Sequence, residues 1–118
     1  MKSRDADTPN SKRPKRQNRL ISVCRVEDLP PGRGATVELA GGEEIAIFNV
    51  NGEFFAIENF CPHRGAPLAD GDICGHEVEC SRHGWRFSLR TGACLSHTGS
   101  NIEAYEVIIK DGELKVKI

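Results

Sequence analysis

Long apolar runs are missing from this sequence. The longest, "IAIF" (45–48) and "FFAI" (54–57), are four residues each. A transmembrane helix needs roughly 20, so no helical span is expected. The first twenty residues are polar and lack the apolar stretch of a secretory signal. An even complement of cysteines is also absent, since there are five. An odd number, with no sign of export, argues against a disulfide framework and for metal binding or reduced thiols. The compartment expected on these grounds is the cytoplasm. No long stretch carries apolar residues at helical spacing, and no internal repeat is present. The 12 Gly and 6 Pro in 118 residues argue instead for many turns.

What is there divides by charge. Residues 1–19 hold seven Lys/Arg against Asp5 and Asp7, whereas the remainder holds nine basic and fifteen acidic residues. The basic segment contains Pro and no apolar periodicity, so it is expected to be a disordered tail. Its "KRPKRQ" (12–17) has the composition of a nucleic-acid contact or nuclear address. The blander reading, a solvated leader, is preferred, and the acidic body argues against general nucleic-acid binding. Residues 20–118 suit one domain with one modest core.

Within that body the pattern is of short strands. "LISVC" (20–24) and "ATVEL" (35–39) flank a turn-rich connection, "EDLPPGRG" (27–34). "EIAIFNV" (44–50) and "EFFAIEN" (53–59) meet at "NG", a strong hairpin signal. "AYEVIIK" (104–110) and "ELKVKI" (113–118) form a second hairpin around "DG". Between the hairpins an insert, residues 60–95, carries two short strand candidates, "HEVEC" (76–80) and "WRFSL" (85–89). The fold class is therefore all-β: a small antiparallel domain with a loop-built insert.

Two loop tips of that insert each pair a cysteine with a histidine: Cys61-x-His63 in "CPHRG" and Cys80-x-x-His83 in "CSRHGW". Thiolate and imidazole are both good ligands for zinc or iron. Two Cys and two His would satisfy a tetrahedral zinc ion in a structural, interaction-type module. The usual zinc-finger pattern, however, pairs Cys with Cys and His with His. One Cys and one His per loop suits a 2Fe–2S centre in which two Cys hold one iron and two His the other. A third reading has the cysteines buried as small hydrophobes with no metal role. Cys24, Cys74 and Cys94 remain, and their spacing to Cys61 and Cys80 does not match a plant-type all-Cys cluster. Gly65 and Gly84 follow the histidines, where close backbone approach without a Cβ is useful.

"CPHRGAPLADGD" and "ECSRHGWRFSLRTGACL" closely resemble the cluster-binding loops of Rieske iron–sulfur proteins. "IAIFNVNGEFFAIEN" (45–59) and the terminal "VIIKDGELKVKI" extend the resemblance over residues 20–118. It implies one Rieske-type 2Fe–2S cluster, with Cys61 and Cys80 on the inner iron and His63 and His83 on the outer, more exposed iron. It implies a one-electron carrier with no catalytic residues of its own. The high-potential members carry an extra Cys in each loop, joined as a disulfide; Ala66 and Arg82 stand there in this chain. Those members also place Ser and Tyr hydroxyls near the cluster sulfurs, where this chain has Trp85 and Phe87. Fewer hydrogen bonds to sulfur imply a potential at the low end of the range and point to the soluble ferredoxins. The added negative charge of reduction would raise the pKa of the ligand imidazoles. The family's third, covering loop usually contains Pro; "SHTGSN" (96–101) has none. His97 could lie near the site, although its place in a polar loop reads first as a surface residue.

The partners implied are a flavin reductase and a Rieske non-haem iron oxygenase, met transiently by a monomer. The alternative is the small subunit of an NAD(P)H-dependent assimilatory nitrite reductase, which "LPPGRG" and "HGWRFSLRTGACL" also resemble. An oxygenase active site on this chain is excluded: its mononuclear iron needs two His and a carboxylate. Only His76 and His97 remain for that. Arg64, Arg82 and Arg86 crowd the loops and could form a basic collar for an acidic partner.

Overall fold

The computed structural model describes residues 19–62, 66–81 and 84–118. The expected disordered tail, Arg19 apart, lies outside the described residues, as do His63, Arg64, Gly65, Arg82 and His83.

The structure grows from one hairpin. Strand β3 (Glu44–Val50) turns at Asn51 and Gly52 into β4 (Glu53–Glu58). Both turn residues take positive φ, 54° and 93°, the type I′ geometry that matches strand twist. Asn49 locks the turn. Its side-chain carbonyl accepts the Gly52 N–H at 2.7 Å, and its amide donates to the Leu29 carbonyl at 2.7 Å. The uninterrupted apolar run of β3 has a physical reason: the strand is covered on both sides. Ala46, Phe48 and Val50 enter one core with Ile57, while Ile45 and Ile47 enter another with Ala56. A strand buried on both faces loses the polar alternation of a half-exposed one.

Around this hairpin the strands assemble antiparallel in the order β1-β9-β8-β4-β3-β2. Here β1 is Leu20–Arg25, β2 Gly34–Glu38, β8 Ala104–Lys110 and β9 Glu113–Lys117. Strand β8 serves two partners. Ala104 and Tyr105 pair with β4, and Glu106–Lys110 pair with β9. The second core is closed by Leu114, Val116 and Ile118 from the β9 side. The first core is closed by the insert, a three-stranded sheet of β5 (Asp72–Cys74), β6 (Glu77–Glu79) and β7 (Arg86–Ser88). Its Leu68, Val78, Phe87 and Leu89 lie fully or almost fully buried against β3 and β4. Full burial of such a side chain is worth roughly 1.5–3 kcal/mol, so the insert is part of the core.

The all-β class and both hairpins are as the sequence implies. Three differences have simple causes. Strand β5 was not expected, because it is three residues long, sits between Gly71 and Gly75, and points only Ile73 inward. Short 3₁₀ turns occupy Val26–Asp28 and Leu68–Asp70 in segments expected to be loop. The strands expected over 76–80 and 85–89 shrink to 77–79 and 86–88, because Cys80 and Trp85 are taken up by the loop between them.

The turn after β7 brings the chain back against itself. Gly92 has a φ of 80°, and its carbonyl accepts the Ile102 N–H at 2.9 Å. A Cβ there would run into the Ile102 carbonyl. Gly92→Ala is expected to cost at least about 2 kcal/mol, from left-handed strain plus the clash, read as a lower denaturant midpoint. Gly42→Ala tests strain alone, since its Cβ would meet open space at a φ of 91°, and it should cost about half as much or less.

Candidate metal centre

The two Cys/His loops are built alike. In the first, the Cys61 N–H donates to the Ala66 carbonyl at 2.9 Å. In the second, the Cys80 N–H donates to the Trp85 carbonyl at 2.7 Å. Each cysteine is thus bonded to the carbonyl five residues ahead, and each histidine falls inside the loop so closed. The second loop is tightened by Gly84, whose N–H reaches the Cys80 carbonyl at 3.0 Å with a φ of 76°. Phe60 and Pro67 form a single β-bridge at the base of the first loop.

Both cysteines are buried, at 1% exposure each, and belong to the same apolar core. Two thiols are therefore held on one side of the insert at the bases of two matched loops. That is the arrangement a metal group straddling the loops requires. His63 and His83 lie outside the described residues. Among the described residues no three Cys, His, Asp or Glu side chains gather at one point. No helix of the described residues is long and apolar enough to cross a membrane.

A buried asparagine, unnoticed in the sequence, fastens the first loop to the sheet. Asn59 is 0% exposed. Its amide donates to Glu44 Oε1 at 2.8 Å and reaches Thr36 Oγ1 at 3.4 Å. Its side-chain carbonyl accepts the Ala69 N–H at 2.9 Å, and its backbone carbonyl accepts the Leu68 N–H. One residue thus connects β2, β3 and the turn that follows the loop. Beside it, the N–H of Glu58 donates to the Glu103 carbonyl at 3.0 Å, and Glu58 Oε1 accepts the Glu103 N–H at 2.6 Å, joining β4 to the start of β8. The only signal for Asn59 was a polar residue closing an apolar strand two positions before Cys61.

Other candidates fall elsewhere. His76 is at the far end of the insert, 3.4 Å from Glu53 Oε1 and 3.1 Å from Arg90 Nη2. His97 is exposed, as expected, yet it stacks on Trp85 with ring centroids 4.0 Å apart. Of the three arginines of the expected collar, only Arg86 is among the described residues. Arg86 lies 3.3 Å from Glu79 and 3.7 Å from Glu77, so its charge is met on β6; Arg64 and Arg82 lie outside the described residues. Cys74 is exposed and Cys94 half-buried. Cys24 is half-buried, and its thiol is pushed up chiefly by burial and further by Asp28.

Comparison with known proteins places this geometry. The family model "Rieske [2Fe-2S] domain" matches residues 19–106. The ferredoxin component of the p-cumate 2,3-dioxygenase system of Pseudomonas putida is 39% identical over 101 residues, which is 84% of this chain and 86% of that protein. Among solved structures, a chain of the complex of reduced oxygenase and oxidized ferredoxin in carbazole 1,9a-dioxygenase superposes with a TM-score of 0.76 at 30% identity. That match covers 86% of this chain and 94% of the other. A Mycobacterium tuberculosis protein assigned as an NADH-dependent nitrite reductase small subunit superposes with a TM-score of 0.77 at 26% identity, covering 82% and 92%.

Removing the Asn59 side chain leaves the Glu44 carboxylate and the Ala69 N–H without their partner. Asn59→Ala is expected to lose about 1–3 kcal/mol of folding stability. Asn59→Asp should lose more at pH 7, because a buried carboxylate would then face the half-buried Glu44 carboxylate. Its deficit should shrink toward about pH 4, where one of the pair takes up a proton. Urea unfolding at both pH values reads the difference; equal deficits at the two would contradict the pairing.

Proposed function

The chain belongs to the Rieske [2Fe–2S] family, and from that premise we propose that it is the ferredoxin component of a multicomponent oxygenase system. It receives single electrons from a flavin reductase and delivers them to a Rieske non-haem iron oxygenase. The observation that carries this reading is size together with likeness. The chain spans 86% of the p-cumate ferredoxin and 94% of the carbazole-system chain. It therefore matches stand-alone carriers along their length. It is not itself an enzyme. We assign residues 20–118 to the cluster domain and the molecule to the cytoplasm.

The residues fit the group. Two buried thiols in one apolar core suit the cysteine-bound side of a Rieske cluster. Cys61 and Cys80 would hold the inner iron, and His63 and His83 the outer one; the chemistry supplied there would be one-electron exchange. The chain's own residues set the conditions for that exchange. The pinched loops fix the two cysteine backbones. Phe87, fully buried in the same core as both cysteines, is apolar and carries no hydroxyl. Trp85 carries only an indole N–H as a side-chain donor. Poor hydrogen bonding to the sulfurs disfavours the reduced, more negative state.

The small subunit of a nitrite reductase is the second reading, favoured by the Mycobacterium tuberculosis match at 26% identity. Sequence identity is higher toward the dioxygenase ferredoxins, at 39% for the Pseudomonas putida protein. Stable co-purification with a large sirohaem flavoprotein would support the nitrite reductase assignment.

The midpoint potential is expected on the order of −150 mV, the bottom of the Rieske range. Voltammetry of the purified protein gives it directly, and a value well above zero contradicts the assignment of Trp85 and Phe87 as poor donors. Cys80→Ser should abolish the brown-red colour and the spin-resonance signal of the reduced protein.

A further inference from the structure

The segment from Cys94 to Asn101 runs beside the second Cys/His loop, and its sequence, "CLSHTGSN", is short of conformational restraint. It contains no Pro, and Gly99 takes a φ of 86°. Its base is fastened by hydrogen bonds. The Leu95 N–H donates to the Arg86 carbonyl at 2.7 Å, the Arg86 N–H to Ser96 Oγ at 3.0 Å, and the Cys94 N–H to Asn101 Oδ1 at 2.8 Å. The His97 N–H points back to Cys94 Sγ at 3.4 Å. Beyond that base, the His97 ring lies on the Trp85 ring, centroids 4.0 Å apart and planes tilted by 33°. This is a close, tilted contact between two ring faces.

Trp85 is half-buried, packs against the core that holds Cys61 and Cys80, and provides the carbonyl that accepts the Cys80 N–H. Whatever orders Trp85 therefore also steadies the hydrogen bond that closes the 80–85 loop. We propose that His97 is a positioning residue of the cluster site: its ring, stacked on Trp85, latches the 94–101 loop across the second Cys/His loop and keeps that loop closed. The part His97 plays is that of an aromatic plate, so the ring face matters and the ring nitrogens do not. The exposure of His97 fits this role, since it covers Trp85 from the solvent side. The inference rests on the reading that the 80–85 loop carries two cluster ligands.

The test compares wild type, His97→Ala and His97→Phe as cluster-loaded proteins, with two readouts. Hydrogen–deuterium exchange by mass spectrometry follows peptides covering 94–101 and 80–85, with β9 as an internal reference. Loss of the visible cluster spectrum to a chelator follows the closing of the site. His97→Ala should speed exchange in both segments and cluster loss by about two- to tenfold, the range set by the usual strength of an aromatic pair. Exchange in β9 should stay unchanged, and His97→Phe should restore both readouts to within about twofold of wild type. Wild-type exchange in His97→Ala overturns the proposal, as does His97→Phe behaving like His97→Ala. In the wild-type protein the His97 ring protons should be displaced upfield by the Trp85 ring current. Undisplaced resonances would overturn the stack even if His97→Ala fails to fold. A wild-type protein that never acquires a cluster spectrum would sink the ligand assignment instead, and the exchange readout would still judge the latch.

Discussion

Twice in this molecule a cysteine N–H is bonded to the carbonyl five residues further along the chain, and the rest of the site depends on that pinch. Each bond closes a six-residue loop with the thiol at its buried base and the histidine in its span. A cluster bridging two loops makes a strict demand: two thiols must sit together away from water while two imidazoles reach the outer iron. An open loop would lose backbone entropy on binding, at roughly 1–2 kcal/mol per residue ordered. The pinches settle part of that cost during folding.

The scaffold serves the pinches. Strand β3 is buried on both faces, so one face enters the core closed by β9 and the other the core closed by the insert. Asn59 and Glu58 turn the end of β4 into an anchor for both the first loop and the start of β8. Buried polar groups of this kind stabilise only when every partner is present, which ties the integrity of the loop to that of the sheet. On the opposite side of the site, the 94–101 loop is fastened to Arg86 and lies on Trp85. The two loops thus have different supports: a hydrogen-bond network beneath the first and an aromatic contact over the second.

How much of this could be read from the residues alone varied with the physics involved. The hairpins were legible because "NG" and "DG" demand positive φ, and the structure has it at Asn51 and Asp111. The family was legible because a Cys and a His in each of two loops is a rare pattern with few chemical uses. Strand β5 was hidden because three residues carry no periodicity. Asn59 was hidden because an asparagine at a strand end has many uses, and its partners Glu44 and Ala69 are 15 and 10 residues away. The pairing of Arg86 was hidden because charge counted along a sequence omits what lies across a ladder: Glu79 sits opposite Arg86. His97 could be read both as a surface residue and as a neighbour of the site; it is exposed and it stacks on Trp85, a contact between two loops that spacing along the chain does not reveal.

The central claim is that the four residues Cys61, His63, Cys80 and His83 hold two irons and two sulfides. Its most direct test is the quantification of metal and acid-labile sulfide in anaerobically prepared, folded protein. The account predicts about two irons and two sulfides per chain, in the composition of a 2Fe–2S cluster. A folded sample containing zinc, or iron without labile sulfide, would contradict it.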